Sequence, residues 1–250
     1  MSEPNAPRHS LQISIHVPKT AGVRFAEILR DEYGKACALY YGPHDERTHP
    51  LLRVKPRELT ADRLDALAQS GVDVLHGHIK ARRVIEAIPD PQSYLVWLRE
   101  PIEQTLSRYH TGEDGKRRTT DAKSVEAFAA REESANYQSA YIAPLKLHEI
   151  GFVGITELFE PMLALLELSD TAVRANVNVQ KPVADLATRT RLVPHLREDV
   201  ALYSQALELA VRNLGLRDVK QRARTRQSAT ELAKRFGADI SQESRHPEDD

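Results

Sequence analysis

Cysteine is almost missing from this chain. Cys37 is the single one in 250 residues, so no intramolecular disulfide can form, and a cysteine-based zinc site is argued against. Charge of one sign is missing too: 35 Lys and Arg stand against 36 Asp and Glu, a formal net charge of −1. No global field therefore directs the chain to nucleic acid or a membrane surface, and any anion site has to come from local clusters. No run approaches the roughly 18 apolar residues of a membrane span. The polar segment from Met1 to Arg8 lacks the apolar core of a signal peptide. A lone cysteine fits a reducing compartment. The expectation is a cytoplasmic protein without a membrane span and without a nucleic-acid partner. At 41% hydrophobic residues, the chain has enough apolar material for one α/β domain with a full core.

Glycine is missing at one telling place. Ile13 to Val17 is a short run rich in β-branched residues, bounded by Pro18, and reads as a buried strand. Phe25, Ile28 and Leu29 then fall at helical spacing. Between strand and helix lies Lys19-Thr20-Ala21-Gly22. A strand, a small-residue turn and a helix start bring free backbone N–H groups and the positive end of the helix dipole to one point, which is a seat for phosphate or sulfate. The nucleoside-triphosphate loop needs glycines ahead of its Lys-Ser/Thr pair; here Val17-Pro18 precede Lys19-Thr20, and the small residues follow.

Two further segments are informative. Val72 to Leu75 reads as a second strand running into His76-Gly77-His78-Ile79-Lys80, and reacting groups collect at the C-terminal ends of parallel strands. Two histidines without a third ligand at a suggestive spacing rarely make a metal site, and none is expected. Ser93 to Leu98 reads as a third strand ending in Arg99-Glu100-Pro101, with a helix from Ile102 to Tyr109 behind it. Arg99 leaves the sheet where anions bind, and its fork suits bidentate contact with a phosphate. A salt bridge to a neighbour such as Glu100 is the plain alternative.

Pro-Lys-Thr-Ala-Gly after a hydrophobic strand resembles the 5′-phosphosulfate loop of sulfotransferases that use 3′-phosphoadenosine 5′-phosphosulfate (PAPS). The spelling is nearest to the carbohydrate enzymes of the heparan sulfate/uronyl 2-O-sulfotransferase type. The His-Gly-His segment is similar to one in those enzymes, where the second histidine is the catalytic base. Arg99-Glu100-Pro101, with Ser107 eight residues after the arginine, is similar to their 3′-phosphate motif. Looser matches are Asn136-Tyr137-Gln138, the Val153-Gly154-Ile155-Thr156-Glu157 segment, and Asp199 with Tyr203 in a helix from about 195 to 213.

The resemblance covers roughly residues 11–213. It implies a three-layer α/β, P-loop-NTPase-like fold with a central, mainly parallel sheet flanked by helices. It further implies a PAPS site built by Lys19, Thr20, Ala21, Gly22, Val23 and Arg24 at the phosphosulfate and by Arg99 and Ser107 at the 3′-phosphate. Asn178 and Lys181 lie where the family carries a flap over the nucleotide. His78 becomes the base and Lys19 the group that stabilises charge on the leaving oxygen, with no metal. His76, Lys80, Arg117 and Arg118 are candidates on the acceptor side, and the implied acceptor is a carbohydrate hydroxyl. Val23 and Arg24 depart from the pattern, standing where relatives carry hydroxyls that touch the phosphosulfate. Two other classes stay open: an ATP-dependent phosphotransferase, against which the missing glycine-rich loop speaks, and a non-catalytic nucleotide- or glycan-binding relative.

Around this core, residues 1–10 read as a disordered lead and 11–215 as the domain. Residues 216–250 read as a C-terminal helical tail, a weakly amphipathic basic helix followed by a polar end. Tyr40 to Pro50 is rich in turn formers and has no clear period; 40–70 reads as an excursion over the sheet edge, or as a plain surface connection, with Thr60 as the N-cap of a short helix.

Overall fold

In the computed structural model, residues 11–111, 122–168 and 184–215 are described. The expected lead 1–10, the tail 216–250, and Arg117, Arg118, Asn178 and Lys181 lie outside the described residues. The chain divides into two compact units, 1–210 and 211–250; of the second, residues 211–215 are described, and they are helical.

The first unit alternates strands and helices. β1 (Gln12–Ile15) is followed by α1 (Gly22–Tyr33), β2 (Cys37–Tyr40), α2 (Ala61–Gln69), β3 (Val74–Gly77), β4 (Tyr94–Leu98) and α3 (Pro101–Thr111). Then come α4 (Val125–Ala129), α5 (Tyr137–Ile142), β5 (Phe152–Ile155), α6 (Phe159–Leu163), α7 (Leu186–Leu192) and a helix over 197–210. Among the described residues, five strands pair in parallel, in the order β2-β3-β1-β4-β5. The sheet is therefore wholly parallel where a mainly parallel one was expected. β2 is an addition: Cys37-Ala38-Leu39-Tyr40 is too short for its alternation to stand out beside the turn-forming residues that follow. At α2, Thr60 occupies the N-cap position, but its side chain makes no capping bond.

Buried strands explain the apolar runs. Ile13, Ile15 and Val17 of the first strand segment are each at most 1% exposed, as expected for a parallel sheet covered on both faces. One polar pair interrupts that core. Ser14 and His76 are register partners on β1 and β3, and their side chains hydrogen-bond at 2.8 Å. Gly77 is dictated by β2, because a Cβ there would collide with the Tyr40 carbonyl. This is why a glycine separates the two histidines. Gly154 on β5 is dictated in the same way by the Trp97 ring, which stacks on Phe159 at 4.5 Å.

This topology makes a crevice. The chain leaves β1 toward β2 at one edge of the sheet and leaves β4 toward β5 at the other, although β1 and β4 are neighbours. Ligands of open α/β sheets bind outside the carboxyl ends of strands at such a switch point.

Candidate functional site

The first wall of the crevice is the turn between β1 and α1. Lys19 and Ala21 both hold left-handed backbone, with φ of 72° and 65°. Neither is glycine, so each costs about 1–2 kcal/mol, and such strain collects where backbone groups are aimed at a ligand. Thr20, fully buried, braces the turn through its hydroxyl, which donates to the Val17 carbonyl at 2.8 Å. The N-cap residue Ala21 offers no side-chain bond, and the first turn of α1 carries no acidic residue. The first helical amides and the dipole thus face outward without a built-in anion, the requirement for an anion seat. Alternating backbone of this kind also forms the concave nests that hold anions.

The second wall is the end of β4. The Arg99 guanidinium donates from Nη1 to the Lys19 carbonyl at 3.3 Å, spanning the crevice. Its Nε lies 4.0 Å from the Glu157 carboxylate, with the side chain 13% exposed. Glu100, the partner the plain alternative would assign to Arg99, is engaged elsewhere. It accepts from the Glu103 N–H at 2.7 Å, capping α3, and pairs with Arg189 of α7 at 3.3 Å.

Two glutamines lock these walls. Gln104 of α3, fully buried, donates to the Pro18 carbonyl at 2.9 Å. Ser107 sits one turn further along the same helix face. Gln138 of α5 grips Arg99 at both backbone groups: its Oε1 accepts from the Arg99 N–H at 2.9 Å, and its Nε2 donates to the Arg99 carbonyl at 2.8 Å. Asp199 in turn caps α5, accepting from the N–H groups of Gln138 and Ser139 at 3.0 and 2.7 Å and from the Ser139 hydroxyl at 2.7 Å. Burial raises the Asp199 carboxyl above the usual range, although those bonds pull it down. Asn136 reciprocates with an acceptor for the Glu198 N–H at 3.0 Å. Thr156 and Glu157 tie β5 to β4 rather than capping a helix: Thr156 donates to the Leu98 carbonyl at 2.9 Å, and Glu157 accepts from the Glu100 N–H at 3.1 Å.

The histidines gather beside the first wall. His76 donates from Nε2 to the Gly22 carbonyl at 3.1 Å, while its Nδ1 accepts from Ser14 at 2.8 Å. It is a strut between β3 and α1. Burial pushes its pKa down to about 3, with His78 nearby adding to the shift, so it is neutral. His78 follows, half-buried, with the His16 ring 4.5 Å and the Tyr41 ring 5.0 Å away. His16 stacks on His76 at 5.1 Å and meets the Tyr41 hydroxyl through Nδ1 at 3.3 Å. Among the described residues, no group of three or more His, Cys, Asp or Glu is disposed to hold a metal ion.

The structure brings together Lys19, Thr20, Ala21, Gly22 and Arg99, and links His76 to that group. It directs two candidates elsewhere. The Arg24 guanidinium pairs with Glu160 at 3.1 Å and lies 4.3 Å over the Phe159 ring, leaving its backbone N–H as its contribution to the turn. The Lys80 ammonium lies 5.3 Å over the Tyr141 ring. Val23 is 47% exposed beside the turn. Sequence reasoning passed over His16, Tyr41 and Gln104. One of them had a signal: His16 sits immediately ahead of Val17-Pro18-Lys19.

Compared with protein-family models and with curated proteins, the chain matches none. The geometry of the crevice therefore carries the functional reading.

Proposed function

We propose that this protein is a sulfotransferase that uses PAPS and sulfates an acceptor hydroxyl, of carbohydrate or glycoconjugate class. The observation behind this reading is the β1–β4 crevice, with an uncapped helix N-terminus on one wall and a guanidinium reaching across from the other. Two anion-binding elements beside one crevice suit a nucleotide that carries more than one anionic group. The residues present fit such a group: amides at residues 22–24 and Lys19 for the 5′ end, Arg99 and Ser107 for the 3′-phosphate. When bound, PAPS supplies an activated sulfuryl group.

The residues of the chain supply the rest. Lys19 and the first-turn amides hold the 5′ anion and stabilise the negative charge that the leaving phosphate oxygen keeps as its bond to sulfur breaks. His78 accepts the acceptor's proton on its imidazole as the acceptor oxygen bonds sulfur. Arg99 positions the nucleotide, and Gln138 positions Arg99.

A second reading, a non-catalytic nucleotide- or glycan-binding protein, is favoured by one observation. Val23 and Arg24 bring no hydroxyl to the first turn, and Arg24 is committed to Glu160. Calorimetric titration without added metal, using adenosine 3′,5′-bisphosphate, 5′-AMP and ATP, tests the nucleotide class. The bisphosphate should bind with clear preference. Equal affinities, or a preference for ATP, would overturn the proposal. Release of adenosine 3′,5′-bisphosphate from PAPS in the presence of sugar acceptors then separates the enzyme from the binding protein.

A further inference from the structure

The position of His16 has a chemical consequence. A Cβ placed on Gly22 would collide with the Cδ2, Nε2 and Cγ atoms of the His16 ring. The Nε2 edge of the imidazole therefore lies against the α-carbon of the first residue of α1, at the lip of the anion seat. We infer that His16 is an anion-binding residue of this site, its Nε2–H hydrogen-bonding an oxygen of the group seated on the first turn of α1. The inference rests on the nucleotide-binding reading above and adds a donor that the sequence motif does not contain.

Three observations support it. First, the ring is held in place. It stacks on His76, meets His78, and touches the Tyr41 hydroxyl through Nδ1 at 3.3 Å. Tyr41 is itself fixed by its N–H on the Thr48 hydroxyl at 2.9 Å, and the Arg47 guanidinium lies 4.2 Å over its ring. Second, the Tyr41 contact suits a hydrogen on the correct nitrogen. Burial pushes the Tyr41 phenol up to about 12, so it keeps a proton that it can donate to Nδ1 at 3.3 Å. Burial first, then His76, His78, Arg47 and Lys19, hold His16 well below the ordinary histidine value, so the imidazole is neutral, and with the phenol donating to Nδ1 its one N–H stands at Nε2. Third, His16 is only 4% exposed, yet among the described residues no hydrogen bond reaches Nε2. That leaves the Nε2–H available to an anion seated beside it.

The assignment also accounts for the departure at Val23 and Arg24. Val23 and Arg24 bring no hydroxyl to the first turn, and the imidazole adds one N–H beside it. A neutral imidazole donating to a developing oxyanion is a sound electrostatic device, since it stabilises charge without first carrying any.

The test is a calorimetric comparison of 3′-AMP with adenosine 3′,5′-bisphosphate, made on the wild-type chain, His16→Ala, His16→Gln and Tyr41→Phe. The affinity gained on adding the 5′-phosphate is the quantity read. His16→Ala should reduce that gain about tenfold, the effect of one lost hydrogen bond to a charged group, while 3′-AMP affinity stays unchanged. His16→Gln, which keeps an N–H donor, should recover part of it. Tyr41→Phe, made on a less buried residue, should reduce the gain in the same direction because Nδ1 loses its donor. If the 5′-phosphate gain in His16→Ala and Tyr41→Phe equals that of the wild type, the inference is overturned. The same holds if 3′-AMP and the bisphosphate weaken in parallel, because that pattern belongs to a purely structural ring. If the wild type binds the bisphosphate no better than 5′-AMP, the nucleotide reading itself has failed.

Discussion

Replacing Gly22 by alanine sets two effects against each other. At the first residue of α1, alanine brings the helix propensity that glycine lacks, up to about 1 kcal/mol. Its methyl group would also be built into the His16 imidazole. That ring has nowhere to retreat, with His76 5.1 Å away on one side, His78 at 4.5 Å, and Tyr41 bonded at 3.3 Å. Overpacking of a filled site costs about 1–3 kcal/mol. The cost exceeds the gain, and the net expectation is a loss of about 1–2 kcal/mol. Urea unfolding reads this directly, as a lower midpoint at unchanged slope. A double-mutant cycle makes the test specific. In a His16→Ala background the methyl has room, so Gly22→Ala should become neutral or stabilising, with a coupling of about 2 kcal/mol between the two sites. A Gly22→Ala protein as stable as the wild type, or a coupling near zero, would refute the packing of His16 on α1 and everything built on it.

Further outcomes follow from the same geometry. His76 is neutral in the fold with a pKa of about 3, against about 6.5 in the unfolded chain, so between those values the unfolded state binds a proton that the native state refuses. Its share of stability is complete above the unfolded value and is lost as pH falls, at up to about 1.4 kcal/mol per pH unit. Unfolding curves between about pH 7 and 5 should show a slope of this sign, to which buried His16 also contributes, and His76→Gln should reduce it; an unchanged slope contradicts neutral burial of His76. Gln138→Leu strands the Arg99 N–H and carbonyl and should cost about 2–4 kcal/mol, together with a selective loss of bisphosphate over 5′-AMP affinity by calorimetry. Thermal unfolding and affinities equal to wild type would show that Gln138 does not position Arg99. His78→Ala should lower single-turnover transfer from PAPS by about 10²–10⁴ while leaving bisphosphate affinity unchanged; full transfer would remove His78 as the base.

Much of the architecture was legible because it rests on local signals. Ile13 to Val17, Ser93 to Leu98 and the helices behind them announce themselves through burial runs and period. β2 was not legible: four residues flanked by turn formers carry too little pattern, and parallel partners on β3 decide their state. The same division holds at the site. Lys19, Thr20 and Arg99 were readable because a strand end followed by a helix fixes where they point. Gln104 was not, and Gln138 stood only in a loose motif match, since both work through hydrogen bonds to backbone 86 and 39 residues away. Arg24 shows the converse. Its place on the first turn suggested a ligand contact, but Phe159 and Glu160, 136 residues distant in the case of the carboxylate, capture it.

The central claim is that Arg99 grips a 3′-phosphate across the crevice from the α1 anion seat. The most direct measurement is the 3′-phosphate's contribution to binding, from the affinities of adenosine 3′,5′-bisphosphate and 5′-AMP, in the wild-type chain and in Arg99→Ala. The account expects a bisphosphate preference of about ten- to a hundredfold in the wild type, the range for hydrogen bonds to a charged group. In Arg99→Ala that preference should vanish while 5′-AMP affinity is kept. A wild-type protein indifferent to the 3′-phosphate, or an Arg99→Ala protein that keeps the full preference, would contradict it.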